Sequence, residues 1–383
     1  MKLKLVATCL FGLERLLGEE IEALGYERIS TIDGRVTFLG DEEAVALSNV
    51  FLRFAERVYI EVGSFRAETF TELFDGVYSL PWDDFIGKLD AFPVKGHSIK
   101  SKLYSIPDCQ SIIKRAVVKR MSDRYGILTF PEEGVKYQIE FFILNDMATL
   151  MIDTSGTPLH KRGYRREANL APIRETLAAA IVKLSRPREG VLHWDPMCGS
   201  GTIAIEAAMM MRNIAPGKSR GFASEEFSFI PKAHFRNARE EALDGECKPD
   251  FQVYASDIDE SCVALCEANA RRAGVLGTVR TFVQDARRIR KDGARATIVT
   301  NPPYGERLMS RGEAEMLYRE IGRHFRSLEP WQSYIITSHP EFERFYGKRA
   351  DKVRKLYNGM IPCYLYQYFK NQTNIKNKPQ GDI

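Results

Sequence analysis

The sequence predicts an α/β protein whose larger, carboxyl-terminal part is an open, mostly parallel sheet covered by helices. Four short apolar runs, each leading into polar residues, occur at 191–195, 251–256, 279–283 and 296–300. Such runs are typical of parallel strands that are buried on both faces. A glycine-containing turn follows the first run and leads into an alanine-rich stretch that favours helix. Open α/β sheets bind ligands at the carboxyl ends of their strands, so the residues after each run are the candidate site.

The fourth run is followed by Asn301-Pro302-Pro303-Tyr304. The Asn301 carboxamide oxygen can accept a hydrogen bond from an amine, and the two prolines hold a backbone carbonyl in a rigid direction. Tyr304 offers an aromatic ring for stacking. A Pro-Pro turn with a packed tyrosine would explain the tetrapeptide taken alone. Together, the four residues suit a planar group that carries an exocyclic NH2.

The first run leads through Asp195 into a turn that contains Gly199 and Gly201, and then into a helix from Thr202. The two glycines allow the backbone to approach a ligand closely, and the first amides of the helix can face a polar group. The turn is neither a P-loop nor the dinucleotide fingerprint. Asp195 would repel phosphate and attract an ammonium or, through water, a sulfonium, so the turn suits a zwitterionic ligand.

Acids also follow the second and third runs. Asp257-Ile258-Asp259 ends the second, and Gln284-Asp285-Ala286 ends the third. A carboxylate at the second strand commonly accepts hydrogen bonds from ribose hydroxyls, and Asp285 could accept from an adenine amine. Each acid alone is more simply explained as a helix cap. The ordered series is the stronger signal.

This series resembles the Rossmann-like class I S-adenosylmethionine-dependent methyltransferases that modify exocyclic amines, which implies a seven-stranded, mostly parallel sheet. The resemblance implies that the glycine turn carries the methionine moiety, that the second-strand acid holds the ribose and that the third-strand acid holds the adenine. The cofactor-binding residues it implies are Asp195, Pro196, Met197, Cys198, Gly199, Ser200, Gly201, Thr202, Asp257, Ile258, Asp285, Ala286 and Asn301. The catalytic residues it implies are Asn301, Pro302, Pro303 and Tyr304, with the target base flipped out of its stack.

One departure from the family pattern is the interval of 56 residues between Gly201 and Asp257. It predicts an insertion around Asn213 to Asp250, between the first helix and the second strand. The long interval leaves open whether Asp257 or Asp259 meets the ribose.

The charge balance is mild, with 55 basic and 51 acidic residues and a net charge of +4, which does not by itself indicate nucleic-acid binding. Two segments are locally basic, since residues 95–124 and 161–188 each contain eight Lys or Arg against two acids. A solvated helix face would explain either segment alone. Beside an amine methyltransferase site, a phosphate-contacting surface is favoured. The predicted RNA contacts are Lys100, Lys102, Lys114, Arg115, Arg162 and Arg165.

Seven scattered cysteines show no metal-ligand spacing, so no metal is expected. The chain has no apolar stretch of the length that crosses a membrane, and the apolar run at its start is too short for a signal peptide. We therefore expect a cytoplasmic protein without a membrane partner.

The amino-terminal part predicts a small α/β unit: a strand at 3–8, a helix at 12–24, and two strands around the Asp33-Gly34 turn. Further elements follow, among them a helix at 107–125 and strands at 98–101, 137–144 and 147–153. Three segments, 11–20, 98–106 and 159–165, resemble those of THUMP-containing RNA methyltransferases. The resemblance is closest to bacterial enzymes like the guanine-N2 methyltransferase half of RlmL, including the single-domain YpsC-type relatives.

This resemblance implies a ferredoxin-like unit at 1–45, a THUMP RNA-binding domain at 46–155, a methyltransferase domain at 156–370 and a flexible tail at 371–383. A run at 162–177 would lead from THUMP into a helix that flanks the cofactor. The implied activity is methylation of guanine N2 in structured RNA, with large-subunit (23S) ribosomal RNA as the preferred substrate. A tRNA guanine-N2 or adenine-N6 methyltransferase is the alternative. A DNA adenine methyltransferase and a non-catalytic RNA-binding protein are less favoured, because THUMP does not suit the first and the intact motifs do not suit the second.

Overall fold

The computed structural model describes residues 1–165, 173–291, 295–304 and 309–369. The described residues form two compact units. The first unit contains Met1–Arg162 and Ala215–Gly245, and the second contains Gly163–Ile214 and Glu246–Ile383 as far as they are described.

The described ranges contain fourteen strands and ten α-helices. The strands are β1 (Leu3–Thr8), β2 (Arg28–Ile32), β3 (Arg35–Gly40), β4 (Arg57–Arg66), β5 (Val94–Ile99), β6 (Ile139–Leu144), β7 (Met147–Asp153), β8 (Leu192–Asp195), β9 (Val253–Asp257), β10 (Val279–Val283), β11 (Ala296–Thr300), β12 (Gln332–Thr337), β13 (Lys352–Asn358) and β14 (Ile361–Tyr368). The helices are α1 (Glu14–Ala23), α2 (Glu42–Phe51), α3 (Phe70–Ser79), α4 (Ile106–Tyr125), α5 (Glu175–Ser185), α6 (Thr202–Met211), α7 (Lys232–Asp244), α8 (Glu260–Arg272), α9 (Arg311–Ser327) and α10 (Phe342–Tyr346).

The first unit is built on one sheet with the strand order β2-β3-β1-β4-β7-β6-β5. Only the β5 and β6 pair is parallel among its described pairings. The predicted strands around the Asp33-Gly34 turn are confirmed as β2 and β3, and Gly34 has a φ of +74° at the turn. The strand predicted at 98–101 lies earlier, at Val94–Ile99. Gly96 stands inside it because a Cβ there would lie 2.1 Å from the Phe141 carbonyl oxygen of β6.

The second unit contains a seven-stranded sheet with the order β10-β9-β8-β11-β12-β14-β13. Strands β8 to β12 pair in parallel, and β14 is antiparallel to both β12 and β13. The predicted seven-stranded, mostly parallel sheet is therefore confirmed. The strand order reverses between β8 and β11, which pair side by side although about a hundred residues separate them. Such a switch point opens a crevice at the carboxyl edge.

Most of the predicted insertion belongs to the first unit. Residues Ala215–Gly245 group with the first unit, where the Phe227 ring stacks on Tyr137 with centroids 4.3 Å apart. The Gly217 amide donates to the Val50 carbonyl at 2.9 Å. The chain thus leaves the second unit after Ile214 and rejoins it at Glu246.

No described helix is long and apolar enough to cross a membrane. Among the described residues there is also no group of three or more His, Cys, Asp or Glu that could hold a metal ion. The predicted tail at 371–383 and the start of the predicted cofactor-flanking helix, at 168–172, lie outside the described residues.

Candidate functional site

The glycine turn lies between β8 and α6, at the switch point of the second sheet. Gly199 and Gly201 have φ angles of +49° and +82°, which residues with a Cβ rarely adopt. Gly201 is also confined by space, because a Cβ built on it would lie 2.3 Å from the Sγ atom of Cys266 on α8. The turn closes with a hydrogen bond of 2.8 Å from the Gly201 amide to the Cys198 carbonyl. Conformation and packing therefore both require glycine at position 201.

Asp195 joins the first and fourth strands of the motif series. Its side chain is buried, and Oδ1 accepts from Thr300 Oγ1 at 2.8 Å and from the Met197 amide at 3.3 Å. Burial raises the pKa of Asp195 to about 7, although these two hydrogen bonds oppose the shift. The carboxyl group therefore changes its protonation state near neutral pH, and a cationic ligand would favour its ionised form.

Asp257 and Asp259 have different surroundings. Asp257 Oδ2 accepts from the Gly199 amide at 2.9 Å, so this carboxylate lies against the glycine turn. Asp259 is exposed and caps α8, since its Oδ1 accepts from the Ser261 amide at 2.8 Å. Burial raises the pKa of Asp257, whereas the hydrogen bond from the Ser261 hydroxyl lowers the pKa of Asp259. Ile258, between them, is exposed. Of the two acids, only Asp257 is bonded to the turn in the described contacts.

Asp285 caps the short 3-10 turn Ala286–Arg288 through the Arg287 amide, at 2.9 Å. It also pairs with the Arg287 guanidinium, which donates through Nε at 2.9 and 3.0 Å. These bonds from Arg287 lower the pKa of Asp285. Arg287 contacts Glu320 on α9 as well, at 2.9 Å. The predicted adenine-binding acid is therefore ionised and held in a fixed orientation, beside the buried Ala286.

Asn301-Pro302-Pro303-Tyr304 follows β11 at the same edge of the sheet as Asp195. The Tyr304 hydroxyl donates to the Asn301 side-chain oxygen. The Pro303 carbonyl accepts from the Tyr318 hydroxyl of α9 at 2.6 Å, and that hydroxyl also lies 3.2 Å from Thr337 Oγ1 at the end of β12. Helix α9 therefore holds the loop in place through Tyr318.

Two supporting residues were missed by sequence reasoning. Tyr318 is fully buried, and burial raises its pKa to about 12, so its hydroxyl stays protonated as a donor to Pro303. Asn269 of α8 is buried and donates to the Ser200 carbonyl at 2.8 Å, which fixes the glycine turn from behind. A polar group among the core positions of an amphipathic helix is the signal that points to such residues.

The residues predicted to bind RNA fall into two groups. Lys100, Lys102 and Arg115 are exposed in the first unit, and Lys102 pairs with Glu68. Lys114 is half-buried and lies over the Phe92 ring, 3.7 Å from its centroid.

The two arginines predicted as RNA contacts are engaged with the protein itself. Arg162 is 5% exposed and donates to the Leu159 and Arg53 carbonyls, so its burial does not favour a phosphate contact. Arg165, in the second unit, donates to Thr202 Oγ1 at 3.0 Å and to Glu175 at 2.9 Å, beside the glycine turn. Their roles in RNA binding stay predictions.

Comparison with known proteins gives three family matches. Residues 162–367 match the RMKL-like methyltransferase domain, residues 4–59 the RlmL ferredoxin-like domain and residues 67–153 the THUMP domain. The chain is 41% identical over 386 residues to YpsC of Bacillus subtilis strain 168, covering 99% of both proteins. The name of that relative assigns it provisionally to the RNA methyltransferases.

Solved structures agree with these matches. A possible methylase from Clostridium difficile 630 is 42% identical, with a TM-score of 0.93 and full coverage of both chains. SMU.472, solved in complex with SAH, is 40% identical with a TM-score of 0.91, covering 97% of this chain and 99% of that one. The predicted ferredoxin-like, THUMP and methyltransferase domains are confirmed, and the chain belongs to the RMKL-like methyltransferase family.

Proposed function

We propose that this protein is an S-adenosylmethionine-dependent RNA methyltransferase that acts on guanine N2 of large-subunit (23S) ribosomal RNA. The THUMP domain and the likeness to YpsC support RNA as the substrate. S-adenosylmethionine is the methyl donor, as the SAH bound to SMU.472 supports. We place the reaction in the cytoplasm, a setting with which the seven free cysteines agree.

The described residues fit this cofactor. Gly199 and Gly201, both with positive φ angles, leave the turn without a side chain at these two positions on the carboxyl edge. Residues 195–202 would hold the methionine moiety, Asp257 and Ile258 the ribose, and Asp285 and Ala286 the adenine. Asp257 is preferred over Asp259 because it faces the turn, whereas Asp259 caps α8. The bound cofactor supplies an electrophilic methyl group.

Asn301 Oδ1 and the Pro302 carbonyl would accept the two hydrogens of the target amine. This arrangement directs the nitrogen lone pair out of the base's π system, which otherwise makes the amine a poor nucleophile. The amine becomes acidic only as its new bond forms, so positioning and electrostatics contribute more than a strong base does. In the unbound protein the Tyr304 hydroxyl donates to Asn301 Oδ1, and this hydrogen bond would hold the side-chain amide in one orientation while leaving a second lone pair on Oδ1 for the amine.

The observation that carries the proposal is the meeting of Asp195 with Thr300, one residue before Asn301. This hydrogen bond joins the proposed cofactor turn directly to the amine-binding loop. A methyl donor bound at the turn and a methyl-accepting amine bound at the loop would therefore lie side by side.

Mapping modified nucleosides tests this function. Total RNA from a strain that lacks the gene should have lost one N2-methylguanosine in 23S ribosomal RNA, as measured by mass spectrometry of nuclease fragments. Purified protein with S-adenosylmethionine should restore it, and the Asn301→Ala variant should not. Loss of N6-methyladenosine, or of a tRNA nucleoside, would support the alternative substrates. An unchanged pattern in all RNA would contradict the proposed function.

A further inference from the structure

The β13–β14 hairpin projects past the candidate site along the carboxyl edge of the sheet. Thr300, the last residue of β11, pairs with Ile335. Ile335 pairs with Tyr366, and Tyr366 pairs with Val353. The strand pairing then continues five residues beyond Val353, to Asn358 at the hairpin tip. At about 3.3 Å per residue, the tip lies about 17 Å beyond Val353 in the direction of β13, which the sheet twist rotates relative to that of β11. At about 4.8 Å between strands, its lateral offset is about 14 Å.

The tip of this hairpin is apolar and open to solvent. Gly359 has a φ of +68° in the turn. The next residue, Met360, is 93% exposed, and Ile361 is exposed as well. By contrast, Leu356 of the same hairpin is buried. Packing therefore explains Leu356 but does not explain why the tip carries a long apolar side chain.

The hairpin is also positively charged. Residues 352–361 contain Lys352, Arg354 and Lys355 and no acid. Lys355 Nζ lies 5.4 Å from the centroid of the Tyr357 ring, so one cation and one aromatic face are presented together. Both lysines are exposed. This charge is complementary to a phosphate backbone.

Arg174, which precedes α5, adds to the charge at the tip. Its amide donates to the Asn358 side-chain oxygen at 3.2 Å. Its guanidinium lies 3.4 Å from the position that a Cβ on Gly359 would occupy. Arg174 of the second unit thus contacts the tip, which is therefore not an isolated loop.

We propose that this hairpin, residues 352–361, contacts the RNA that enters the site and that Met360 inserts into the base stack beside the flipped nucleotide. The inference rests on the proposed function. Extruding a base leaves a gap in its stack, and proteins that open base steps commonly fill such gaps with an apolar side chain. The exposed Met360 supplies that side chain, while Lys355 and, nearer the base of the hairpin, Lys352 contact phosphates along the same RNA.

A methionine substitution series tests the wedge. Met360→Ala should lower the single-turnover methylation rate of total RNA from the gene-deletion strain by about tenfold. Its affinity for that RNA, measured by filter binding, should change little, because the charges remain. Met360→Leu should keep most of the rate, since it retains an apolar side chain of similar size. Met316→Ala is the matched control, because Met316 is a 55% exposed methionine on α9.

A wild-type rate for Met360→Ala would overturn the wedge, as would equal losses in Met360→Leu and Met360→Ala. An equal loss in the Met316→Ala control would also overturn it, because the effect would not then belong to the hairpin tip.

Neutralising the hairpin lysines tests the RNA contact separately. Lys352→Ala with Lys355→Ala should reduce the slope of log affinity against log salt by about 1.4, if two phosphate contacts to a single strand are lost. An unchanged slope would show that the hairpin does not meet RNA. This binding measurement needs no methylation, so it distinguishes failure of the hairpin from failure of the proposed function. If wild-type protein does not methylate the RNA at all, the proposed function fails, whatever the slopes show.

Discussion

Asn301 is the residue on which the proposed chemistry depends most directly. Its side-chain oxygen is oriented by the Tyr304 hydroxyl, and its backbone follows a strand that is buried along its whole length. A fixed acceptor contributes more as the amine nitrogen becomes positive, so its effect should appear in the chemical step rather than in binding.

We expect Asn301→Ala to lower the single-turnover rate by about 10² to 10³, or about 2.7–4 kcal/mol, by analogy with preorganised oxyanion-hole donors. RNA affinity should fall by much less than the rate, and S-adenosylmethionine affinity shows how far Asn301 also contacts the cofactor. Rapid-quench kinetics with isotope-labelled cofactor, together with calorimetry of cofactor binding, would measure the two effects. Full activity in Asn301→Ala would argue against methylation of an exocyclic amine.

Tyr318 is a positioning residue for the same loop. Its hydroxyl is bonded to the Pro303 carbonyl at 2.6 Å, and the ring is buried in the core between the sheet and α9. Tyr318→Phe keeps the ring and removes the donor. Leaving the Pro303 carbonyl without this donor should destabilise the folded protein by about 1–3 kcal/mol.

We expect Tyr318→Phe to slow methylation about tenfold while leaving cofactor affinity unchanged. Without the hydrogen bond to Pro303, the loop that holds Asn301 would shift from its position, and part of the lost free energy would appear in the methylation rate. Tyr346→Phe is a suitable control. Tyr346 is buried in the same core, and its hydroxyl pairs with Ser333 instead of the loop. Equal slowing in both variants would indicate a general loss of packing, and the kcat-to-KM split of each variant would show which effect applies.

At the scale of elements, the strands that carry the site were predictable almost to the residue. β10 and β11 match their predicted runs at 279–283 and 296–300, and polar residues follow both at the carboxyl edge. β11 is buried along its whole length, whereas β10 is the edge strand and exposes Arg280 and Val283. β5 was placed too late because Gly96 and His97 interrupt its pattern. The close approach of Gly96 to β6 is a long-range contact that local pattern does not reveal. Tyr318 and Asn269 were missed for the same reason, since their partners are distant in sequence.

The glycine turn supports a prediction about its fit against α8. Gly201→Ala should weaken S-adenosylmethionine binding severely, because it combines a φ of +82° with a contact of 2.3 Å to Cys266 Sγ. Cys266→Ala in the same chain removes the sulfur but leaves the strained φ. The double variant should therefore recover part of the affinity, as calorimetry would show. No recovery would mean that backbone strain alone accounts for the loss, and wild-type affinity in Gly201→Ala would exclude the turn as the cofactor site.

For the whole molecule, the division into domains was more difficult to predict than the fold of each. The length of the insertion was visible in the interval from Gly201 to Asp257. Its association with the first unit was not, because that depends on contacts such as Phe227 with Tyr137. The boundaries predicted at 45/46 and 155/156 stay predictions. The edge of the second sheet that carries β13 was also unforeseen, since sequence reasoning concentrated on the parallel strands.

Stability of the whole protein should depend on pH through two buried residues of β8. Burial lowers the pKa of His193 to about 3 and raises that of Asp195 to about 7. Below pH 6.5 the unfolded histidine binds a proton that the folded one does not, so the His193 contribution falls as pH falls. Between about pH 7 and 3.8 the folded aspartate binds a proton that the unfolded one does not, so the Asp195 contribution rises as pH falls.

The two contributions should nearly cancel between pH 6.5 and 4 in the wild-type protein, and single variants should separate them. The free energy of unfolding of His193→Phe, relative to wild type, should increase as pH falls, by up to about 1.4 kcal/mol per pH unit. That of Asp195→Asn, relative to wild type, should decrease over the same range. Urea denaturation at several pH values would measure both differences, and other titrating groups would affect all three proteins alike. Slopes of the same sign in the two variants would contradict the assignment of a neutral His193 beside a readily protonated Asp195.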